Sequence, residues 1–244
     1  MNKRVALFVV ATAKYIKFLK PLVTSVNQHF LKDECDVDVI IFTDHEPASS
    51  ITGLDDWESD RVQLVWMHQE HLPWPGPTLK RYEIFLKARD MFPDYTHLFY
   101  CDVDMLFVDT VGSEVLVEEG LVATAHPGFY NKPRSQFTYE TNIHSVAYIP
   151  EHKGLFYFAG GFQGGKSSAY EQAIVKLCLK INTDEERGIT AVWHDESHWN
   201  RYLIDNHPTR VLSPSYCFPE AWEWLPFPRR LLALDKDHKE MRSA

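Results

Sequence analysis

The sequence of 244 residues predicts one α/β domain with a mostly parallel central sheet flanked by helices. Three runs rich in β-branched and aromatic residues have the length of buried strands, namely 5–10, 37–43 and 62–66. Apolar residues at helical spacing over 16–26 lie between the first two runs, and Pro21 either kinks or begins this helix. Strand, helix and strand in this order indicate a parallel pair with a right-handed crossover. The hydrophobic content of 45% is sufficient for one large core.

The later elements continue the alternation of strands and helices. A helix is predicted over 79–91, one long central strand over 97–109, and short strands over 121–124 and 156–158. An amphipathic helix is predicted over 169–181. Another helix is expected from about Asp195, with Trp199, Tyr202 and Leu203 as its buried stripe.

Charge and composition exclude several classes of protein. Asp and Glu outnumber Lys and Arg by 34 to 25, and the net charge of −9 argues against a general nucleic-acid binder. No apolar run approaches the roughly 20 residues that span a bilayer, so no transmembrane segment is expected. The four cysteines lack CxxC spacing and read as free thiols, which predicts a reducing, cytoplasmic location.

Asp102 and Asp104 follow the apolar run "HLFYC". On an extended strand these two carboxylates would share one face, with Val103 pointing into the core. Paired carboxylates suit Mn²⁺ or Mg²⁺, which would leave coordination positions open for phosphate oxygens. The alternative is a solvated strand end, but ligands of open α/β sheets bind at the carboxyl ends of strands. The pair therefore indicates a metal-bridged nucleotide or nucleotide sugar, whereas P-loop and GxGxxG motifs are absent from the sequence.

The segment "WHDESHW" spaces His194 and His198 four residues apart. A zinc protease would need His-Glu-x-x-His and a third ligand, so zinc is not favoured and His198 is expected to be structural. Asp195 and Glu196 fall in a first helical turn, where acidic residues complement the helix dipole. The functional alternative is that Glu196 stabilises an oxocarbenium-like transition state at a sugar carbon, or attacks that carbon as a nucleophile.

Six blocks in fixed order carry a resemblance to a known family: "FYCDVDMLF", "HPGFYNKPRSQFTYE", "YIP", "FYFAGGFQGG", "WHDESHWNRYL" and "PTRVLSPSYCF". Over residues 5–218 the chain resembles the family 6 glycosyltransferases, retaining enzymes that include the histo-blood-group A and B transferases and the α-1,3-galactosyltransferase. The resemblance implies a single GT-A type domain with a mixed, mostly parallel sheet. It also implies a nucleotide-binding half at about 1–110 and an acceptor-binding and catalytic half at about 111–244, which includes the C-terminal tail. Because vertebrate members carry a membrane anchor, this chain is expected to be a soluble microbial or viral member.

The resemblance also implies the residues of the site. Nucleotide contacts fall on Val10, Ala11, Thr12, Tyr15, Arg81, Val103 and Lys239, with the Tyr15 ring stacked on uracil. The metal ligands match Asp102 and Asp104. The donor sugar is expected to contact Ala159, Gly160, Gly161, His194 and Asp195. The acceptor is expected to contact His126, Thr138, Trp193 and Glu196, with Glu196 as the catalytic carboxylate.

The implied reaction is α-1,3 transfer of N-acetylgalactosamine from UDP-GalNAc to a β-galactoside on an oligosaccharide or glycolipid, with a fucosylated, H-antigen-like acceptor. Gly161 leaves room for an N-acetyl group, although glycines here also fit a tight turn. UDP-galactose is the alternative donor. An inactive carbohydrate-binding homologue and a nucleotide-sugar hydrolase are the competing functions. Pro219 stands where the blood-group enzymes have an acidic acceptor contact, so the acceptor is expected to differ in detail.

Overall fold

The structure is a computed structural model that describes residues 4–47 and 51–242. The strands are β1 Arg4–Val10, β2 Asp36–Thr43, β3 Val62–His68, β4 His97–Cys101, β5 Met105–Phe107, β6 Leu121–Ala125, β7 Phe158–Lys166, β8 Arg210–Leu212, β9 Phe218–Pro219 and β10 Leu231–Ala233. The α-helices are α1 Leu19–His29, α2 Gly76–Leu79, α3 Arg81–Phe85, α4 Ser167–Glu186, α5 His194–Asp205 and α6 His238–Arg242. Short 3-10 helices span Ala13–Phe18, Leu86–Asp94, Ser113–Val115, Arg134–Gln136 and Pro214–Tyr216.

Seven strands form the central sheet in the order β3-β2-β1-β4-β7-β6-β8. Within the described residues only β7 runs against the others, since it pairs antiparallel with both β4 and β6. The predicted mixed, mostly parallel sheet is therefore confirmed. A smaller sheet joins β5, β10 and β9, and it links a strand of the first predicted half to strands of the second.

The alternation of side chains along β1 divides the core into two layers. Val5, Leu7 and Val9 pack on the face covered by α1, whereas Ala6 and Phe8 pack against α3, α4 and α5 on the other face. Because both faces are covered, the strand is apolar at every position after Arg4 rather than at alternate ones. The predicted helices over 169–181 and from Asp195 are confirmed as α4 and α5.

Two predicted helices have different bounds in the structure. α1 begins at Leu19, so Pro21 lies in its first turn, where its missing N–H is not needed, and the start expected at Pro21 is two residues late. The single helix predicted over 79–91 is wrong. The chain forms α2, α3 and then a 3-10 helix that contains Pro93, and Lys80 leaves helical geometry between the first two.

The single strand predicted over 97–109 is also wrong. β4 ends at Cys101, and the chain then turns, with the Met105 amide donating to the Asp102 carbonyl at 3.2 Å. β5 leaves the central sheet and pairs with β10 instead. Asp102 and Asp104 therefore lie on a turn between two sheets, and the strand geometry assumed for them does not apply.

The glycine-rich segment is a strand rather than a turn. The predicted strand over 156–158 is only the beginning of β7, which continues through both glycine pairs to Lys166. A Cβ at Gly164 would lie 2.8 Å from Cγ of Phe99 on the neighbouring β4, so this close approach of two strands requires glycine. The tight-turn interpretation of "AGG" and "QGG" is wrong for this reason.

The remaining composition-based expectations concern cysteines and membranes. All four cysteines are free, and Cys35, Cys101 and Cys178 are buried. In the described part of the chain, no helix combines the length and the apolarity that crossing a bilayer requires. The cytoplasmic location stays a prediction.

Candidate active site

A cleft opens at the edge of the sheet where β1, β4 and β6 end and the antiparallel β7 begins. Its first cavity, of about 200 Å³, is lined by Val10, Thr12, Tyr15, Trp74, Pro77, Thr78, Arg81, Tyr100, Asp102, Val103, Asp104, Lys236 and His238. Its second, of about 190 Å³, is lined by Thr78, Arg81, Asp102, Gly160, Gly161, Trp193, His194, Asp195 and Glu196. The two cavities share Thr78, Arg81 and Asp102, so the metal, nucleotide and donor-sugar predictions converge on one cleft.

Arg81 at the start of α3 connects the two cavities. Its side chain is almost fully buried, and its Nη1 donates to the Gly160 carbonyl at 2.9 Å. Its Nε lies 3.0 Å from Oδ2 of Asp195, and its Nη2 lies 3.4 Å from Oδ1 of Asp102. The guanidinium also lies over the Tyr100 ring, 4.4 Å from its centroid. One buried cation thus balances the charge of two carboxylates from distant segments.

Glu196 is held by hydrogen bonds to both of its carboxylate oxygens. The Gly160 amide donates to Oε2 at 2.9 Å, and the Tyr157 hydroxyl donates to Oε1 at 3.1 Å. Asn200, one turn later on α5, exchanges two hydrogen bonds of 2.9 and 2.8 Å with the Phe158 backbone. The start of α5 is therefore fixed against β7, and burial raises the pKa of Glu196 to about 7 although the hydrogen bond from Gly160 favours the ionised form.

The backbone before Glu196 is strained. His194 has a φ of +50°, a left-handed conformation that is unfavourable for a side chain with a Cβ. This turn directs Asp195 inward to Arg81, while the His194 ring meets Trp74 edge to face at 5.3 Å. Burial raises the pKa of Asp195 to about 7 against the opposing charge of Arg81.

Asp102 and Asp104 both line the first cavity, each with a different partner. Asp102 accepts a hydrogen bond from the Tyr100 hydroxyl, and Asp104 forms an ion pair with Lys236 of the C-terminal tail. Burial raises the pKa of Asp104, and the charge of Asp102 adds to this effect. The sequence prediction did not include Lys236.

These carboxylates fit a hard divalent cation by their chemistry. Both are oxygen donors, and the ammonium group of Lys236 on Asp104 shows that a positive charge is accommodated there. Among the described residues, no three His, Cys, Asp or Glu side chains are grouped as a metal site. A cation held by Asp102 and Asp104 would therefore need further oxygen ligands from a diphosphate or from water.

Three residues predicted for the donor site lie outside the two cavity linings. Ala11 is completely buried, and its amide donates to the Phe42 carbonyl at 2.9 Å. Ala159 is buried in β7. Lys239 is exposed on α6, and Lys236 reaches the cleft from three residues earlier.

The predicted acceptor residues approach Glu196 through Tyr157. The Thr138 hydroxyl donates to the Tyr157 oxygen at 3.3 Å, and the rings of His126 and Tyr157 meet edge to face at 5.5 Å. Burial lowers the pKa of His126 to about 4, so its imidazole is neutral near pH 7. Its Nδ1 accepts from the Gly128 amide at 3.0 Å, which assigns the proton to Nε2 as a donor for a ligand. Trp193, half-exposed, lines the second cavity.

Among the site residues that the sequence prediction missed are three whose side chains contact a predicted carboxylate, namely Tyr100, Tyr157 and Lys236. Tyr100 stands two residues before Asp102, and this spacing was a signal that could have been used. Tyr157 lies in the "FYFAGG" block, but its neighbours are also aromatic and nothing distinguishes it. Lys236 and Lys239 look alike in a charged tail, so only the structure separates them.

The raised pKa of Glu196 predicts a pH-dependent stability of the protein without ligands. A carboxyl with a pKa of about 7 in the folded state and about 4.3 in the unfolded state binds more protons when folded between these values. The contribution of Glu196 to stability therefore falls as pH rises from about 5 to 8. Glu196→Gln should remove this contribution and thereby change the difference in unfolding free energy between pH 5 and pH 8 by roughly 2 kcal/mol, measured by urea unfolding at both pH values. Glu186→Gln, at an exposed position of α4, is the control, and equal pH slopes in both variants would contradict the prediction.

Comparison with known proteins identifies the family. The sequence model of Glycosyltransferase family 6 matches residues 1–243. The chain is 36% identical to Histo-blood group ABO system transferase 1 of Rattus norvegicus, over 99% of this chain and 69% of that protein. It is 32% identical to Globoside alpha-1,3-N-acetylgalactosaminyltransferase 1 of Gallus gallus, over 100% of this chain and 70% of that protein. It is 29% identical to Alpha-1,3-galactosyltransferase 2 of Homo sapiens, over 89% of this chain and 63% of that protein. With matches along nearly its whole length, this chain belongs to glycosyltransferase family 6.

Proposed function

We propose that this protein is a metal-dependent retaining glycosyltransferase that transfers N-acetylgalactosamine from UDP-GalNAc to O3 of a β-galactoside in α-1,3 linkage. The acceptor of the proposed reaction is fucosylated and H-antigen-like. The observation that carries the proposal is the convergence of Glu196, Arg81 and Asp102 in one cleft. There the buried guanidinium of Arg81 pairs with Asp102, the proposed metal ligand, and with Asp195, the neighbour of Glu196. Gly160 accepts a hydrogen bond from Arg81 and donates one to Glu196.

In the proposed reaction, different side chains of the cleft contact the base, the cation, the diphosphate and the sugar. Tyr15 offers a flat ring for the uracil base at the end of the first cavity, next to the pair that would hold the cation. Bound there, Mn²⁺ or Mg²⁺ would offset the charge that develops on the departing diphosphate. Lys236 lies at the same place and adds a second positive charge. Glu196, which lines the second cavity, stabilises the positive charge on the sugar carbon.

The acceptor is held by polar groups near Glu196. The Nε2–H of His126 donates to a galactose hydroxyl, and Thr138, which donates to the Tyr157 oxygen, offers another hydroxyl. Trp193 supplies an apolar surface at the mouth of the second cavity. The names of the chicken and rat relatives support an acceptor of the globoside or blood-group class.

A four-way assay tests the proposed reaction. UDP-GalNAc and UDP-galactose are each combined with lactose and with 2′-fucosyllactose in Mn²⁺, and the products and released UDP are measured. The proposal expects GalNAc transfer, with the fucosylated acceptor preferred. Transfer of galactose instead would favour the alternative donor that the human relative's name supports. UDP release that ignores the acceptor would indicate a hydrolase, and no turnover would indicate an inactive carbohydrate-binding homologue.

Removal of the metal ligands should abolish activity. Asp102→Asn with Asp104→Asn removes both negative charges, so Mn²⁺-dependent UDP binding and transfer should fall below detection. Calorimetric titration of UDP with and without Mn²⁺ measures the binding. Asp109→Asn, on the exposed segment after β5, is the control and should bind UDP normally. Full wild-type transfer in excess EDTA would overturn the metal dependence.

Gly160 provides a test of the donor sugar. A Cβ at this position would make ordinary contacts of 3.5 Å with Glu196 and 3.6 Å with Asp195, so Gly160→Ala should fold while narrowing the second cavity. The N-acetyl group needs this space, and we expect kcat/KM for UDP-GalNAc to fall about tenfold more than for UDP-galactose. Equal losses with both donors would remove Gly160 from donor selection. A Cβ at Gly161 would crowd Asp102 at 3.0 Å, so that position is less suited to the test.

A further inference from the structure

Two tryptophans form an exposed aromatic surface outside the cleft linings. Trp222 and Trp224 lie in the loop between β9 and β10, and their rings stack with centroids 5.0 Å apart and planes 28° apart. Trp224 is 63% exposed although one face is covered by Trp222, so its opposite face is open to solvent. A rigid aromatic face presented in this way is typical of a ligand site rather than of core packing.

The loop beneath this surface is held in place. Trp222 packs beside the buried cluster of Phe218, Leu225 and Leu232, and its amide donates to the Pro219 carbonyl at 3.0 Å. Phe227, later in the same loop, meets the Tyr130 ring edge to face at 4.9 Å. The loop that carries Trp224 is therefore held in place by packing and by a backbone hydrogen bond.

The aromatic surface is continuous with the acceptor side of the cleft. A Cβ at Gly128 would lie 3.3 Å from the His126 ring and 3.7 Å from the Trp222 ring, so both rings border the same backbone. His126 in turn contacts Tyr157, which donates to Glu196. An acceptor whose terminal sugar lies at His126 would extend its next sugar toward Trp222 and Trp224.

We propose that Trp224, backed by Trp222, forms a second sugar subsite that binds the pyranose ring next to the acceptor's terminal galactose. This inference rests on the proposed function and names the substrate class as an oligosaccharide of at least two sugars. The C–H groups on a pyranose face carry partial positive charge, which matches the negative face of an indole ring. Glu220 and Glu223 are exposed beside the rings and, with the net charge of −9, disfavour an anionic membrane as the partner.

Acceptor length separates this subsite from the galactose site. Trp224→Leu keeps apolar bulk but removes the aromatic face, and Trp224→Phe restores a face. With methyl β-galactoside as a one-sugar acceptor and lactose as a two-sugar acceptor, Trp224→Leu should raise KM for lactose about tenfold, with kcat nearly unchanged. KM for methyl β-galactoside should stay within twofold, and Trp224→Phe should recover most of the affinity for lactose. Equal changes in KM for both acceptors, or no change, would overturn the subsite.

Binding measured without transfer distinguishes failure of the subsite from failure of the proposed function. Calorimetric titration of lactose in the presence of UDP and Mn²⁺ should show weaker binding to Trp224→Leu than to the wild type and Trp224→Phe. If this dependence is found but no galactoside is glycosylated, the subsite stands and the proposed reaction fails. If Trp224→Leu binds lactose normally and instead loses binding to phosphatidylcholine vesicles, or loses self-association in sedimentation, the surface serves a membrane or a second copy and the subsite is overturned.

Discussion

Glu196→Gln is expected to lower transfer by about 10³-fold while leaving the fold and UDP binding intact. The change removes the negative charge that faces the reacting sugar carbon, but it preserves the shape of the side chain. The glutamine oxygen can still accept from the Gly160 amide, and its NH₂ group can donate to the Tyr157 oxygen, which then acts as the acceptor. The measurements are kcat for transfer and calorimetric titration of UDP with Mn²⁺.

Glu171→Gln is the matched control for this variant. Glu171 pairs with Arg89 on the surface, at 2.9 Å, and the pair is remote from both cavities. The control should transfer at the wild-type rate and unfold at nearly the same urea concentration. If Glu196→Gln retained wild-type kcat, Glu196 would have no catalytic role.

Arg81→Met should have the largest effect on stability, about 3–5 kcal/mol, and should also abolish transfer. Methionine fills much of the same volume but leaves Asp195 and Asp102 without their shared cation, and the Gly160 carbonyl without its donor. Removal of one partner of a buried ion pair is costly because the remaining charge stays buried. Urea unfolding at pH 8 measures the effect, because Asp195, with its pKa of about 7, is mainly ionised at that pH in the wild type.

Two comparisons identify the cause of that loss. Arg89→Met breaks an exposed pair with Glu171 and should cost no more than about 1 kcal/mol. Adding Asp195→Asn to Arg81→Met removes one of the stranded charges and should recover part of the lost stability, which a double-mutant cycle measures. A cost below about 1 kcal/mol for Arg81→Met would contradict the central role of this guanidinium.

Local composition was sufficient to predict the first three strands and the helices of the second half. Strands β1 and β2 are dense in Val, Ile and Phe and are buried, so propensity and burial agree, and β3 has the Val and Trp residues that favour a strand. Strand β7 was mostly missed because its glycines have low strand propensity. Its conformation depends on the closeness of β4, a contact between residues far apart in the sequence. The break after Cys101 was missed because apolar residues continue on both sides of the turn.

The residue types of the site were more predictable than their arrangement. Asp102, Asp104 and Glu196 were found by motif, and their place at one edge of the sheet follows from strand direction. The connecting role of Arg81 could not be read from the sequence, because its contact with Gly160 spans 79 positions. Sequence also gave no reason to select Tyr157 as the group between Glu196 and the acceptor residues.

The antiparallel strand β7 determines where this chain can be divided. Strand β6 reaches β4 only through β7, and β5 from the first half pairs with β10 near the C-terminus. A chain cut near residue 110 would leave the edges of β4 and β7 without partners, each with unpaired amides and carbonyls. Such edges pair readily with other chains. Fragments of this protein would therefore have to be brought together during folding, because each half supplies the strand that protects the other from aggregation.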